Sequence, residues 1–234
     1  MRLRDIHPWN LTPREAIALQ KRLAPEVICA GESQNVRHVA AADVAFVDRP
    51  YRRQPVLARA AVAVLSYPGL AVVEHHVVEG PVGFPYVPGL LSFREIPVLA
   101  RAFARVQAAP DLLLVDGQGY AHPRRFGIAC HLGILLGIPT IGCAKSRLCG
   151  EEAAPGPEGG ATAELIDGGE LIGLVLRTRA GVKPVYVSVG HRIGLESAAA
   201  WVLRLCRGRR LPEPIRVADQ LSKGAQLGRP GDLA

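Results

Sequence analysis

No two of the five cysteines are spaced C-x-x-C, and their number is odd. That argues against a disulfide framework or a structural zinc site and suits a reducing cytosol; Cys143 and Cys149 read as a core thiol and a loop thiol. Long apolar runs are missing too, although apolar residues make up 49% of the chain. The best stretch, residues 126–144, is interrupted by four glycines, His131 and Pro139. It therefore reads as a buried helix, a turn and a buried strand, not as a membrane span. The opening Met1-Arg2-Leu3-Arg4-Asp5 lacks the apolar core of a signal peptide. Neither an interdomain linker nor an internal repeat is visible. The expectation is one cytoplasmic domain over 1–234, with a helix at about 12–24, a core at about 36–206 and a polar tail at about 207–234.

Charge is what the chain has in excess. Its 28 basic and 21 acidic side chains leave +7, with a pI near 9.5, and such a surface suits a polyanionic partner whose counterions are released on binding. Basic residues recur at Arg49-Arg52-Arg53, Arg124-Arg125, Lys145-Arg147 and Arg204-Arg207-Arg209-Arg210. The last group also fits the solvated end of a helix, where cations are favoured.

Thr12-Pro13-Arg14-Glu15 is a capping-box start for the first helix, which is expected to pack outside the sheet. Three β-rich runs follow at 36–47, 56–66 and 71–78, with connections short enough for an antiparallel meander. A helix is expected at 92–107 with Ser92 as its N-cap. Then comes strand 112–115, a helix from Pro123 to Leu136, and strand 139–143. Alternation after a meander indicates an α/β fold in which parallel strands extend the antiparallel set. Residues 153–160 read as a loop, 171–178 and 185–189 as strands, and 195–206 as a helix. Asp219 is the one acid of interest in the tail.

The apolar run 112–115 ends on Asp116, followed by Gly117-Gln118-Gly119-Tyr120-Ala121-His122-Pro123-Arg124-Arg125. An acid at the C-terminal end of a buried strand sits where open α/β sheets place their sites, and it must be solvated, paired or metal-bound. A strand-end acid that merely caps a turn is the alternative. If the fourth strand lies beside the first, Asp43, Glu95 and Asp116 come together. Oxygen ligands of this kind favour Mg²⁺ or Mn²⁺ over zinc, and two such ions can activate water and stabilise the leaving oxygen of a phosphodiester. His75 and His76, adjacent on a strand, face opposite sides and do not share a metal.

Three segments carry a resemblance. They are Phe84-Pro85-Tyr86-Val87-Pro88-Gly89-Leu90-Leu91-Ser92-Phe93-Arg94-Glu95, the Asp116 to Arg125 motif, and Ile138-Pro139-Thr140-Ile141-Gly142-x-Ala144-Lys145. Together they closely resemble the endonuclease V family of deoxyinosine-specific nucleases in the ribonuclease H-like superfamily. Val187-Ser188-Val189-Gly190-His191-Arg192 and Leu211-Pro212-Glu213-Pro214 are similar to its C-terminal part. The resemblance implies Mg²⁺, with Mn²⁺ as substitute, on Asp43, Asp116 and Glu95, and His122 and Lys145 beside the scissile phosphate. It also implies a wedge of Pro85, Tyr86, Val87 and Pro88. Gly89, Leu91, Gly117 and Gln118 are candidates for a base pocket, and Arg124 and Arg125 for DNA contacts. Asp219 aligns loosely with a fourth metal-site position.

The implied activity is hydrolysis of the second phosphodiester bond on the 3′ side of deoxyinosine, leaving 3′-hydroxyl and 5′-phosphate ends. The expected partner is DNA containing deoxyinosine, bound by a monomer away from membranes. Inosine-containing RNA and a non-catalytic nucleic-acid binder are the rival readings. Without the motifs, Lys145 would be a solvated strand-end lysine, His122 a backbone-bonding histidine at a helix start, and Tyr86 an ordinary turn residue. Three positions depart from the family's pattern: Gln118 stands where it varies, Tyr120 where an aliphatic residue is expected, and Cys130 where serine is expected.

Overall fold

The computed structural model of the chain describes residues 1–47 and 56–226. Arg49, Arg52 and Arg53 lie outside the described residues. Among the described residues, nine strands form a single sheet in the order β3-β2-β1-β4-β5-β9-β8-β7-β6. The expected meander is there: β1 (His38–Val47), β2 (Val56–Ser66) and β3 (Val72–Val82) pair antiparallel. β3 runs four residues beyond its expected end and takes in Pro81, which is tolerated because β3 is an edge strand. β4 (Leu112–Val115) lies parallel to β1, and β5 (Thr140–Ala144) parallel to β4. Beyond β5 the sheet turns antiparallel again through β9 (Val185–His191), β8 (Glu170–Leu176), β7 (Thr162–Asp167) and β6 (Glu151–Glu152).

Both faces of the sheet are covered, which is why its central strands read as continuous apolar runs. Alternate residues of β1 and β4 serve opposite sides. Val39, Ala41, Leu112 and Leu114 pack with α4 (Leu195–Leu205) and α5 (Glu213–Ser222), whereas Ala40, Ala42, Leu113 and Val115 pack with α2 (Leu91–Phe103) and α3 (Ile128–Leu136). α1 (Pro13–Leu23) lies outside that second layer, with Ala16, Leu19 and Leu23 against Phe93, Phe126 and Cys130. Covered by the sheet and by α1, α3 is apolar nearly all round. Thr12 and Glu15 form the expected reciprocal cap of α1.

Four expectations need correction. The helix placed from Pro123 begins only at Ile128, because Arg125 takes a left-handed φ of 54° that an α-helix cannot include. Ser92 is not an N-cap: Leu90 holds that position without a side-chain bond, and Ser92 lies inside the helix with its hydroxyl buried. Residues 162–167, unassigned from sequence, form β7. The polar tail contains α5, which opens with Pro214 in its first turn and buries Ile215, Val217, Ala218 and Leu221. Among the described residues, no helix is long and apolar enough to cross a membrane.

Candidate active site

Register brings the acids together. Ala42 pairs with Val115 across the parallel β1–β4 ladder, so Asp43 and Asp116 follow side by side, and the Asp116 amide donates to Ala42 O at 3.4 Å. Glu95 enters from α2, buried to 8% exposure. Burial drives its carboxyl well above the usual carboxylate range, and the charges of Asp43 and Asp116 push it further. Asp43 is raised for the same reasons, burial first, although the Ser222 hydroxyl donates to its Oδ2 at 2.5 Å. α5 supplies that serine and also Asp219.

Lys145, just past β5, places its ammonium 2.5 Å from Asp116 Oδ2 and 3.0 Å from Asp219 Oδ1. Burial pulls this lysine down, but its hydrogen bonds and charge pairing with Asp116, then Asp219, outweigh burial and hold it above the ordinary lysine range. Burial acts upward on Asp219, yet bonds from Lys223 and Lys145 keep its carboxyl below its ordinary value. Among the described residues, no three metal-ligating side chains converge as a ready-made ion cage; the positive charge between Asp116 and Asp219 is the lysine's. The donor set nevertheless fits a hard dication: all its ligands are carboxylate oxygens, and their mutual repulsion is what bound positive charge relieves.

Beside this cluster opens a cavity of about 370 Å³. Asp116, Lys145 and Arg147 line it, as do the base-pocket candidates Gly89, Leu91, Gly117 and Gln118, together with Ser92 and His122 among others. Tyr86, Val87 and Pro88 stand at its rim, with Tyr86 73% exposed. Pro85 lies next in sequence, exposed and outside the lining.

The rim is held at Gly89. Its carbonyl accepts from His122 Nε2 (2.9 Å), Arg124 Nη2 (2.8 Å) and Gln20 Nε2 (3.0 Å). Gly89 has φ +78°, and a Cβ there would sit 2.7 Å from Arg124 Nη2, so any other residue would strain the backbone and displace that guanidinium. On the opposite wall, the loop from Gly117 crosses β9 so closely that a Cβ on Gly119 would lie 2.1 Å from Val189 O.

His122 stands in a turn, not at a helix start. It is 2% exposed and uses both ring nitrogens on protein partners, since Nδ1 accepts from the Arg124 amide at 3.1 Å. Burial lowers its pKa to about 4, with Arg124 and Arg125 adding to the shift against the Gly89 bond, so the ring is neutral. The two arginines also spend their guanidiniums on the protein. Arg124 Nε bonds Gln20 Oε1 (2.5 Å), while Arg125 pairs with Asp167 and Glu170, each at 2.7 Å. Tyr120 donates to Glu170 at 2.7 Å and is not among the cavity's lining residues; Cys130 is buried in α3.

Known proteins first give a class. An endonuclease V crystal structure from Streptomyces avermitilis has a TM-score of 0.85 and 43% identity, covering 95% of this chain and 96% of that one. The fold is thus that of a nuclease. A model of the endonuclease V family matches residues 21–220, and an endonuclease V of Gloeobacter violaceus is 52% identical over 225 residues, 96% of this chain and 90% of that protein. The chain belongs to the endonuclease V family. A Ciona intestinalis endonuclease V, 29% identical with a TM-score of 0.76 over 90% of this chain and 95% of that one, was crystallised with a 24mer DNA containing an inosine followed by a ribo-adenosine.

Sequence reasoning missed Gln20 and Ser222, and it held Asp219 only loosely. Gln20 bonds carbonyls 69 and 106 residues away, a relation with no local signature. The repeat of apolar residues at 215, 218 and 221 was the available signal for α5, and hence for the side chains it carries to the acids.

Proposed function

We propose that this protein recognises deoxyinosine in DNA and uses Mg²⁺ to hydrolyse the second phosphodiester bond on its 3′ side, leaving 3′-hydroxyl and 5′-phosphate ends. The observation that carries this reading is the continuity of the acidic cluster with the cavity: Asp116 and Lys145 belong to both. A base held in the cavity leaves its own backbone beside the carboxylates. The Ciona relative's complex with inosine-containing DNA supports this choice of ligand.

Asp43, Glu95 and Asp116 hold the ion, Asp219 offers a fourth oxygen, and Mn²⁺ suits the same donors. When bound, the metal supplies an activated water and positive charge against the leaving oxygen. Lys145 turns its ammonium from Asp116 toward the scissile phosphate, where a point charge stabilises developing negative charge. Tyr86, between Pro85 and Pro88, fills the stack that the extruded base leaves. His122, neutral and bonded at both nitrogens, positions Gly89 and so the wedge loop. Arg124 and Arg125 hold the DNA-facing loops through Gly89, Asp167 and Glu170, while Lys145 and Arg147, which line the cavity, offer charge to the phosphates. The biological reading is repair of deaminated adenine, with the enzyme acting as a monomer in the cytoplasm.

The ribo-adenosine after inosine in the Ciona complex gives a specific reason to keep inosine-containing RNA as a second reading. Both are tested with end-labelled strands carrying one inosine, all-deoxy, all-ribo or with a single ribonucleotide 3′ to the lesion. Cleavage of the all-deoxy duplex at the second 3′ bond, with a 5′-phosphate on the downstream product, is expected. A cut at the lesion itself, or cleavage of the ribo strand alone, contradicts the proposal.

A further inference from the structure

β7 and β8 lie in the opposite half of the sheet from β3, the strand that the wedge loop follows, yet an unbroken series of contacts joins their turn to that loop. Asp167 and Glu170 pair across the turn, with Gly168 and Gly169 between them at φ +61° and +84°, as a two-residue hairpin turn requires. Like charges directly opposite each other repel. Here Arg125 sits between them, with Nη1 2.7 Å from Asp167 Oδ2 and Nε 2.7 Å from Glu170 Oε2. Arg125 Nη1 also donates to His122 O at 3.0 Å. Tyr120 donates to the other oxygen of Glu170, Oε1, at 2.7 Å, so the turn grips the 120–125 segment on both sides of His122. From His122 the series ends 2.9 Å away on Gly89 O, the carbonyl that holds the cavity's rim. Arg125, then Tyr120, hold the Glu170 carboxyl below its ordinary value. Both ion pairs are partly exposed, and pairs of that kind add little to stability. What they fix is geometry, because a planar guanidinium held along two edges has one orientation.

Resting on the function proposed above, we propose that the β7–β8 turn is a positioning element for the wedge loop, with Glu170 as its chief residue and Tyr120 as its second tie. Glu170 acts through Arg125 and His122 on Gly89, and so sets where Pro85 to Pro88 stand over the cavity. None of this touches the carboxylates that hold the ion. A misplaced rim therefore costs most where a stack must be opened before the base can enter, and least on a single strand. The hydroxyl of Tyr120, at a position where an aliphatic residue is expected, thereby acquires a role outside the cavity: it holds Glu170 in the orientation that Arg125 needs.

The test is the ratio of single-turnover cleavage rates on a deoxyinosine duplex and on the same strand alone, at saturating protein and Mg²⁺. It is measured for the unsubstituted protein, Glu170→Ala, Tyr120→Phe, Arg125→Met and the Arg125→Met, Glu170→Ala double variant. Glu170→Ala should lower the ratio by roughly 5- to 100-fold, the upper figure being the cost of a misplacement on the order of 1 Å. Tyr120→Phe should lower it less, and Tm in both should stay within about 4 °C of the unsubstituted protein. Once Arg125→Met has broken the route, Glu170→Ala should change the ratio little further. Taking the ratio within each preparation cancels any unfolded fraction, and should Glu170→Ala not fold, Tyr120→Phe carries the test. An unchanged ratio in Glu170→Ala, or full additivity with Arg125→Met, overturns the positioning role while leaving the proposed function standing. A raised ratio overturns it too, since the two acids would then merely compete with DNA for Arg125. Failure of the unsubstituted protein to cleave deoxyinosine DNA overturns both.

Discussion

Gln20 is the residue on which the rim of the cavity depends most, and replacing it with methionine isolates that dependence. Methionine keeps the approximate length and volume of the 1%-exposed side chain, so little cavity is created. What disappears are the Nε2 bonds to Gly89 O and Phe126 O, at 3.0 and 2.9 Å, and the Oε1 bond from Arg124 Nε, at 2.5 Å. Two neutral bonds contribute about 1 kcal/mol each, and one to a charged partner about 1.5 to 3. The expected loss of stability is therefore about 3.5 to 5 kcal/mol. For a chain of this size that corresponds to a fall in Tm of roughly 7 to 20 °C. Thermal melting of Gln20→Met, Arg124→Met and the double variant measures it, and the two losses should be less than additive because the side chains share Gly89 O and each other. A fall below about 2 °C, or strict additivity, would refute the view that these residues act as one anchor.

The remaining expectations follow from the same geometry. Saturating Mg²⁺, at about 100 times its Kd, should stabilise the protein by about 2.7 kcal/mol, a Tm rise of roughly 5 to 11 °C; an equal rise in Asp116→Asn would place the ion elsewhere. Tyr86→Ala should weaken binding to inosine-containing duplex by roughly 5- to 150-fold with Tm unchanged, because the ring is exposed; equal weakening on single strands would count against a wedge. Burial, reinforced by neighbouring arginines, lowers His122 and His191 to about 4 from an ordinary 6.5. The unfolded chain then binds protons that the folded chain refuses, so their contribution to stability is present above about pH 6.5 and is lost as pH falls toward 4. Asp43 and Glu95, both raised, run the opposite way and lose stability as pH rises past the ordinary carboxylate range. NMR titration of the two imidazoles separates these contributions, and a pKa near 6.5 for either histidine would contradict its burial.

How far the fold was legible depended on how local each signal was. Asp116 stood out because four buried apolar residues precede it and a glycine follows, and the meander showed in its runs of β-formers and short turns. α3 was started too early because Pro123 has the chemistry of a first helical turn, whereas the left-handed Arg125 is fixed by bonds to Asp167 and Glu170, 42 and 45 residues away. β7 was missed because only Leu165 of its six residues is fully buried, too weak an alternation to mark a strand. α5 reads as tail because polar residues interrupt its short apolar repeat, although that helix brings Ser222 to Asp43 and Asp219 to Lys145. Ser92 resembled an N-cap because its neighbours fit a capping pattern; the cavity it lines cannot be seen in one dimension.

The central claim is that the carboxylates of Asp43 within β1, Glu95 on α2 and Asp116 at the end of β4 perform phosphodiester cleavage beside a pocket for the deaminated base. Single-turnover cleavage of a deoxyinosine duplex and of its deoxyadenosine counterpart, with Mg²⁺ or with chelator, by the unsubstituted protein and by Asp116→Asn, tests it most directly. Cleavage should be confined to the deoxyinosine strand, the unsubstituted protein and Mg²⁺, while Asp116→Asn still binds that duplex. Undiminished cleavage by Asp116→Asn, or equal cleavage of the two duplexes, would contradict the account.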